Sequence, residues 1–236
     1  MRHRRHRRHQ SNKPNITIDI GIGILFTLFL VSLGLIIAIN LRFLYYADIK
    51  WFNLEDKSGL SYQTIKENYN ALIDYCSPFY QGKLVFPSLA ASASGLSHFA
   101  EVKVIFNFFY IMFALTTVAL ITIIIIKHKR QNYRFYLVSS ITSIVLPVIT
   151  LAACAIDFET TFYIFHKIFF RNDDWMFDPN TDPIILLLPE SYFLQGALII
   201  AAIILLGSLI LFLTYRYQKK KNQPISLLKR KMNYYY

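Results

Sequence analysis

Four uncharged apolar runs decide what this chain can fold into: Ile20–Leu41, Val104–Ile126, Phe135–Ile156 and Phe193–Leu213, of 22, 23, 22 and 21 residues. At about 1.5 Å rise per residue, a helix of that length crosses a hydrocarbon core of roughly 30 Å. Inside a bilayer no water satisfies backbone N–H and C=O groups, so a spanning segment is a helix or part of a closed barrel. None of the four runs alternates apolar and polar residues as barrel strands do. The expectation is an all-α integral membrane protein. It has four transmembrane helices in one membrane domain over residues 1–236, in a chain 55% hydrophobic with a mean hydropathy of +0.38.

Charge supplies the orientation. The segments 1–19, 127–134 and 214–236 hold 17 of the 25 Lys and Arg residues but only one of the 14 acids, Asp19. The loop 42–103 balances six cations against six acids, and the loop 157–192 sets Lys167 and Arg171 against seven acids. Cytoplasmic segments beside a span carry the excess of Lys and Arg. Both termini and the 127–134 loop are therefore expected in the cytoplasm, and the two long loops outside. The basic run Arg2, Arg4, Arg5, Arg7 and Arg8 resembles the start of a signal peptide, but the apolar run after it is too long and Ala38-Ile39-Asn40-Leu41 is no small-residue cleavage site. The basic ends lack aromatic interleaving, so anionic lipid explains them and nucleic acid does not. Cys76 and Cys154 read as two separate thiols rather than a disulfide, and no cysteine spacing suits a metal.

The outer loops hold the chemistry. Phe43, Tyr45, Tyr46, Trp51 and Phe52 suit a membrane–water interface. Ser61 reads as the cap of an amphipathic helix whose buried stripe is Ile65, Tyr69, Leu72, Ile73 and Cys76, ended by Ser77-Pro78. That helix is expected to lie on the bilayer or cover the bundle mouth. Ser88 to Gly95 reads as small and flexible, leading into His98 at the threshold of the second span. In the second loop, Phe158, Phe162, Phe165 and Phe169 share one helical face, and His166 falls at the boundary with the polar face.

Outside the N-terminal run and His128, His98 and His166 are the only histidines, and both fall in outer loops near the end of a span. Imidazole titrates at about 6.5 and exchanges protons near neutral pH. Two ordinary hydrogen-bonded histidines explain the spacing equally well. His98 with Glu101, joined by His166 and an Asp, would make a divalent metal site, though no second close pair of ligands supports it. Ser97 beside His98 suggests a serine nucleophile, but the G-x-S-x-G elbow is missing. The spans carry no ionisable residue, which argues against a transporter.

The segments His98-Phe99-Ala100-Glu101-Val102-Lys103 and Phe165-His166-Lys167-Ile168-Phe169-Phe170, then Trp175, Asp178-Pro179, Asp182-Pro183 and Pro189-Glu190-Ser191-Tyr192-Phe193, resemble the bacterial lipoprotein intramolecular transacylase family. The polybasic N-terminus lies outside the resemblance. What the resemblance implies is a metal-independent acyltransferase without cofactor, in the bacterial cytoplasmic membrane. Its partners would be diacylated lipoproteins and membrane lipids. It would move the sn-2 acyl chain of a diacylglyceryl-cysteine to the cysteine α-amine, leaving a lyso-form lipoprotein. The family's two functional histidines fall on His98 and His166. Glu101, Lys103, Arg171, Trp175, Asp178, Asp182 and Glu190 are expected to support them. The rival classes are a serine-dependent membrane acyltransferase or hydrolase using Ser97, and a non-enzymatic membrane scaffold.

Overall fold

The structure, a computed structural model, describes residues 15–232, with side chains through Asn222. The basic run Arg2 to Arg8 and the side chains of Lys229, Arg230 and Lys231 lie outside the described residues. Among the described residues there are helices and no strand. Four helices are long and apolar enough to cross a membrane: α1 (Ile16–Asn40), α5 (Ala93–Lys129), α6 (Arg134–Ile156) and α8 (Glu190–Met232). Between them come α2 (Arg42–Trp51), α3 (Leu54–Ser58), α4 (Tyr62–Tyr75), α7 (Phe158–Phe169) and a 3-10 turn at Pro183–Leu187. The fold is the four-span all-α membrane architecture expected from the apolar runs.

Helix α1 is the hub of the bundle: it packs against α5, α6 and α8, and α6 also packs against α8. Lipid is as apolar as leucine, so small residues and polar contacts draw such helices together. Gly34 of α1 lies against the backbone of Ile200 on α8. The Ser208 hydroxyl of α8 donates to the Ser140 carbonyl of α6 at 2.7 Å. At the end of the bundle that carries the 130–133 turn, the Asp19 carboxylate is fully buried. It pairs with Lys127 at 2.8 Å and with Arg134 at 2.9 Å, tying α1 to α5 and α6.

The two long loops fold together into a cap at the other end, with a core of its own. Ser61 caps α4 by accepting from the Thr64 N–H at 3.2 Å, and Ile65, Tyr69, Leu72, Ile73 and Cys76 are all buried, as their spacing implied. The aromatic cluster expected at the interface divides between surface and core. Phe43 and Trp51 are exposed, but Tyr45 is buried. Its ring stacks on Tyr69 with centroids 3.5 Å apart, and its hydroxyl donates to the Leu187 carbonyl at 2.8 Å. The reason is the helical register: 45 and 49 face the α4 stripe while 43 and 51 turn away. Two helices, α2 and α3, stand where a loop was expected. Asn53 and Gly59, both left-handed at φ 52° and 70°, make the breaks around α3.

Candidate active site

Helix α5 begins well before its apolar run. Ser92 caps it by accepting from the Gly95 N–H at 2.9 Å, so Ala93, Ser94 and Gly95 form its first turn rather than a flexible stretch. The second loop holds this turn in place: Asp182, buried, accepts from the Ser92 N–H at 2.8 Å and from the Thr181 hydroxyl at 2.7 Å. Gly95 makes room for that carboxylate, since any side chain there would run into it. His98, one turn further on, is 5% exposed.

His166 is the one buried residue of α7, at 8% exposure. This corrects the expectation that it falls at the boundary with the polar face. Phe165 and Phe169 are exposed instead, because beside a bilayer an outward apolar side chain costs nothing and the polar group is the one that must turn in. The inward stripe is half-buried Phe162, buried His166 and, just past the helix, buried Phe170, spaced i, i+4 and i+8.

The fold brings the two imidazoles together, with ring centroids 6.1 Å apart. Phe170 lies against both, 4.6 Å from His98 and 5.6 Å from His166. Trp175 stacks on His166 at 4.6 Å, and Phe177 sits 5.5 Å from His98. His166 Nδ1 lies 2.8 Å from the Phe162 carbonyl. A carbonyl only accepts, so Nδ1 holds the proton and Nε2 keeps the basic lone pair. His98 Nδ1 is buried without a partner among the described residues. Both histidines precede or follow the apolar spans rather than lie within them. Burial, reinforced by His166 beside it and opposed by Asp174, pushes His98 down to about 4. Burial likewise lowers His166, with the Phe162 carbonyl opposing. Two neutral imidazoles thus face each other at pH 7.

Glu101 joins them through a relay. Its Oε1 accepts from Asn172 Nδ2 at 2.8 Å, the Asn172 carbonyl accepts from Trp175 Nε1 at 3.2 Å, and Trp175 stacks on His166. Glu101 Oε2 is buried and unpartnered among the described residues. The other expected residues lie elsewhere. The Lys103 ammonium donates to the Tyr80 carbonyl at 3.0 Å and sits 4.4 Å from the Tyr75 ring centre. Arg171 and Glu190 are exposed, and exposed Asp178 holds a turn by accepting from the Asn180 N–H at 2.9 Å. Exposed Ser97 makes no hydrogen bond with His98. Among the described residues no three His, Cys, Asp or Glu side chains are grouped to hold a metal. Phe162, Phe170, Asn172 and Phe177 are not among the site residues expected from sequence. The i, i+4 spacing around His166 would have given Phe162 and Phe170. Nothing local marks Asn172.

Fold and site together define a polytopic membrane protein with a buried histidine pair at one end of its bundle. The chain belongs to the lipoprotein intramolecular transacylase family Lit, whose family model it matches over residues 20–193. It is similar to the in meso structure of the membrane integral lipoprotein intramolecular transacylase Lit from Bacillus cereus. The TM-score is 0.83 at 38% identity, over 88% of this chain and 96% of that one. Two structures of that protein with a single histidine substituted also match. The arginine variant does so at 38% identity and a TM-score of 0.77, over 88% of this chain and 92% of that one. The alanine variant does so at 39% and 0.76, over 88% and 94%. No match was found among curated protein sequences.

Proposed function

We propose that this member of the family moves the sn-2 acyl chain of a diacylglyceryl-cysteine to the α-amine of the same cysteine. The observation that carries this reading is the pair of neutral, buried imidazoles with no credible nucleophile beside them. His166 Nε2 takes a proton from the substrate's ammonium. The freed amine attacks the ester carbonyl, a C–N bond forms and the C–O bond to glycerol breaks. The departing oxygen takes up the second proton of the attacking nitrogen. His98, through its one N–H, polarises the carbonyl and then steadies the leaving oxygen. Each acid–base contribution is worth about 10²–10⁴-fold, and holding amine and ester on one molecule supplies much of the remainder. The unpaired Glu101 Oε2 suits the incoming ammonium. Asp182 and Trp175 act as positioning residues, and Lys103, Arg171, Asp178 and Glu190 are given no part in the reaction.

Mass spectrometry of a co-expressed lipoprotein's N-terminus tests the reaction. The expected product has the parent mass, is N-acylated and has a free glycerol hydroxyl. An unchanged N-terminus would overturn the reading. The step uses proton transfer alone, so EDTA should leave the purified enzyme active. Complete loss restored by one divalent ion would favour the His98–Glu101 metal site.

The reading places the histidines and the cap outside the bacterial cytoplasmic membrane, with both termini inside, as the charge distribution supports. In intact cells, Asn180→Cys should react with an impermeant thiol reagent and Gln131→Cys should not. Buried Cys76, pushed up to about 12 by burial, should stay silent. The opposite labelling pattern would overturn the orientation.

A further inference from the structure

The end of the bundle away from the histidines carries a feature that acyl transfer leaves unused. A shallow, open groove of about 280 Å³ lies there between the start of α6 and the 215–222 stretch of α8. Gln131, Tyr133 and Arg134 line one side, and Gln218, Lys219 and Asn222 the other, with no carboxylate among them. Arg134 is only partly engaged. Its Nε donates to Asp19 at 2.9 Å, while Nη2 is buried without a partner among the described residues. Asp19 is shared with Lys127, so that cluster keeps one positive charge in excess, and Lys219 adds another. The groove lies where the α6 apolar run begins and just past where the α8 run ends, which is headgroup level in a bilayer. Leu213 and Tyr217, 54% and 64% exposed, continue from it along α8 as apolar surface.

We propose that this groove binds the phosphodiester of an anionic membrane lipid. The exposed part of the Arg134 guanidinium and the Lys219 ammonium hold the phosphate oxygens, and the amides reach the headgroup. Cationic side chains form charge-assisted bonds to phosphate, and basic pockets between membrane helices recognise anionic headgroups. Free phosphate offers the same oxygens but no acyl chains to lie along α8.

The test uses the full chain in detergent, stripped of lipid. It is titrated with dioleoyl phosphatidylglycerol, dioleoyl phosphatidylcholine and inorganic phosphate, and bound molecules are counted by native mass spectrometry. One phosphatidylglycerol should be retained in preference to phosphatidylcholine, and phosphate should not displace it. Lys219→Gln should weaken that lipid about fivefold, the usual worth of one Lys or Arg at an anionic headgroup. Lys220→Gln, on an exposed neighbour outside the groove, should leave it unchanged. Equal losses from Lys219→Gln and Lys220→Gln, or none from either, would overturn the site. Phosphate binding that depends on Lys219, with no lipid retained, would overturn the lipid.

Discussion

Replacing either His98 or His166 with alanine should lower acyl transfer by at least about 10²-fold, the usual effect of losing a catalytic acid or base. Their rings lie 6.1 Å apart in one enclosure, and in the proposed reaction they act on one substrate in one step. The double variant should be little worse than either single, since residues that act as a unit are far from additive. Ser97→Ala should stay active. The same pair carries a pH signature in stability. Below about 6.5 the unfolded chain's imidazoles take up protons, whereas folded His98 resists until about 4. Stability should therefore fall as pH drops from about 6.5 to about 4 and level off below. His98→Ala should flatten that fall, a change that replacing an exposed histidine with an ordinary pKa would not produce. Normal lyso-lipoprotein from either single variant at matched expression would sink the mechanism.

The second large effect is expected far from the reaction. Asp19→Ala leaves Lys127 and Arg134 facing each other over a site with no counter-charge. Removing one partner of a buried ion pair costs about 3–5 kcal/mol. Arg134 retains 36% of its side-chain exposure and is partly screened, so the lower end, about 3 kcal/mol, is expected. Unfolding by SDS titration of the detergent-solubilised protein measures it. Asp19→Asn should recover part of the loss by keeping an acceptor oxygen. A midpoint unchanged in Asp19→Ala would mean that the two cations reach water without the carboxylate.

Much of this was readable beforehand, where one physical rule decides. The four spans follow from length and lack of charge, and the α4 stripe follows from helical period. The α2–α3 region did not yield to period, because its breaks rest on Asn53 and Gly59 and its aromatics divide between core and surface. In helix α7 the period groups Phe158, Phe162, Phe165 and Phe169 on one face with His166 at its boundary. Of these four, only Phe165 and Phe169 are exposed, while Phe162 turns in against buried His166. The histidines were found as residues, yet their pairing was not, since 68 positions separate them in sequence. Asp182 fixes the start of α5 that carries His98 by accepting from the Ser92 backbone N–H, a contact with no local trace.

The aromatic enclosure around the imidazoles also bears on what the enzyme avoids. A base able to deprotonate an ammonium can also deprotonate water, and an ester attacked by hydroxide yields a free fatty acid instead of an amide. Phe162, Phe170, Trp175 and Phe177 occupy the space around the rings where such a water would stand. They offer it no hydrogen-bonding atoms beyond the Trp175 N–H, which is already donated to Asn172. In the proposed reaction, the partition between aminolysis and hydrolysis would then be set by solvation more than by nucleophile strength. A tethered amine would enter carried by its own lipid, while these aromatic walls would give bulk solvent little to follow it for.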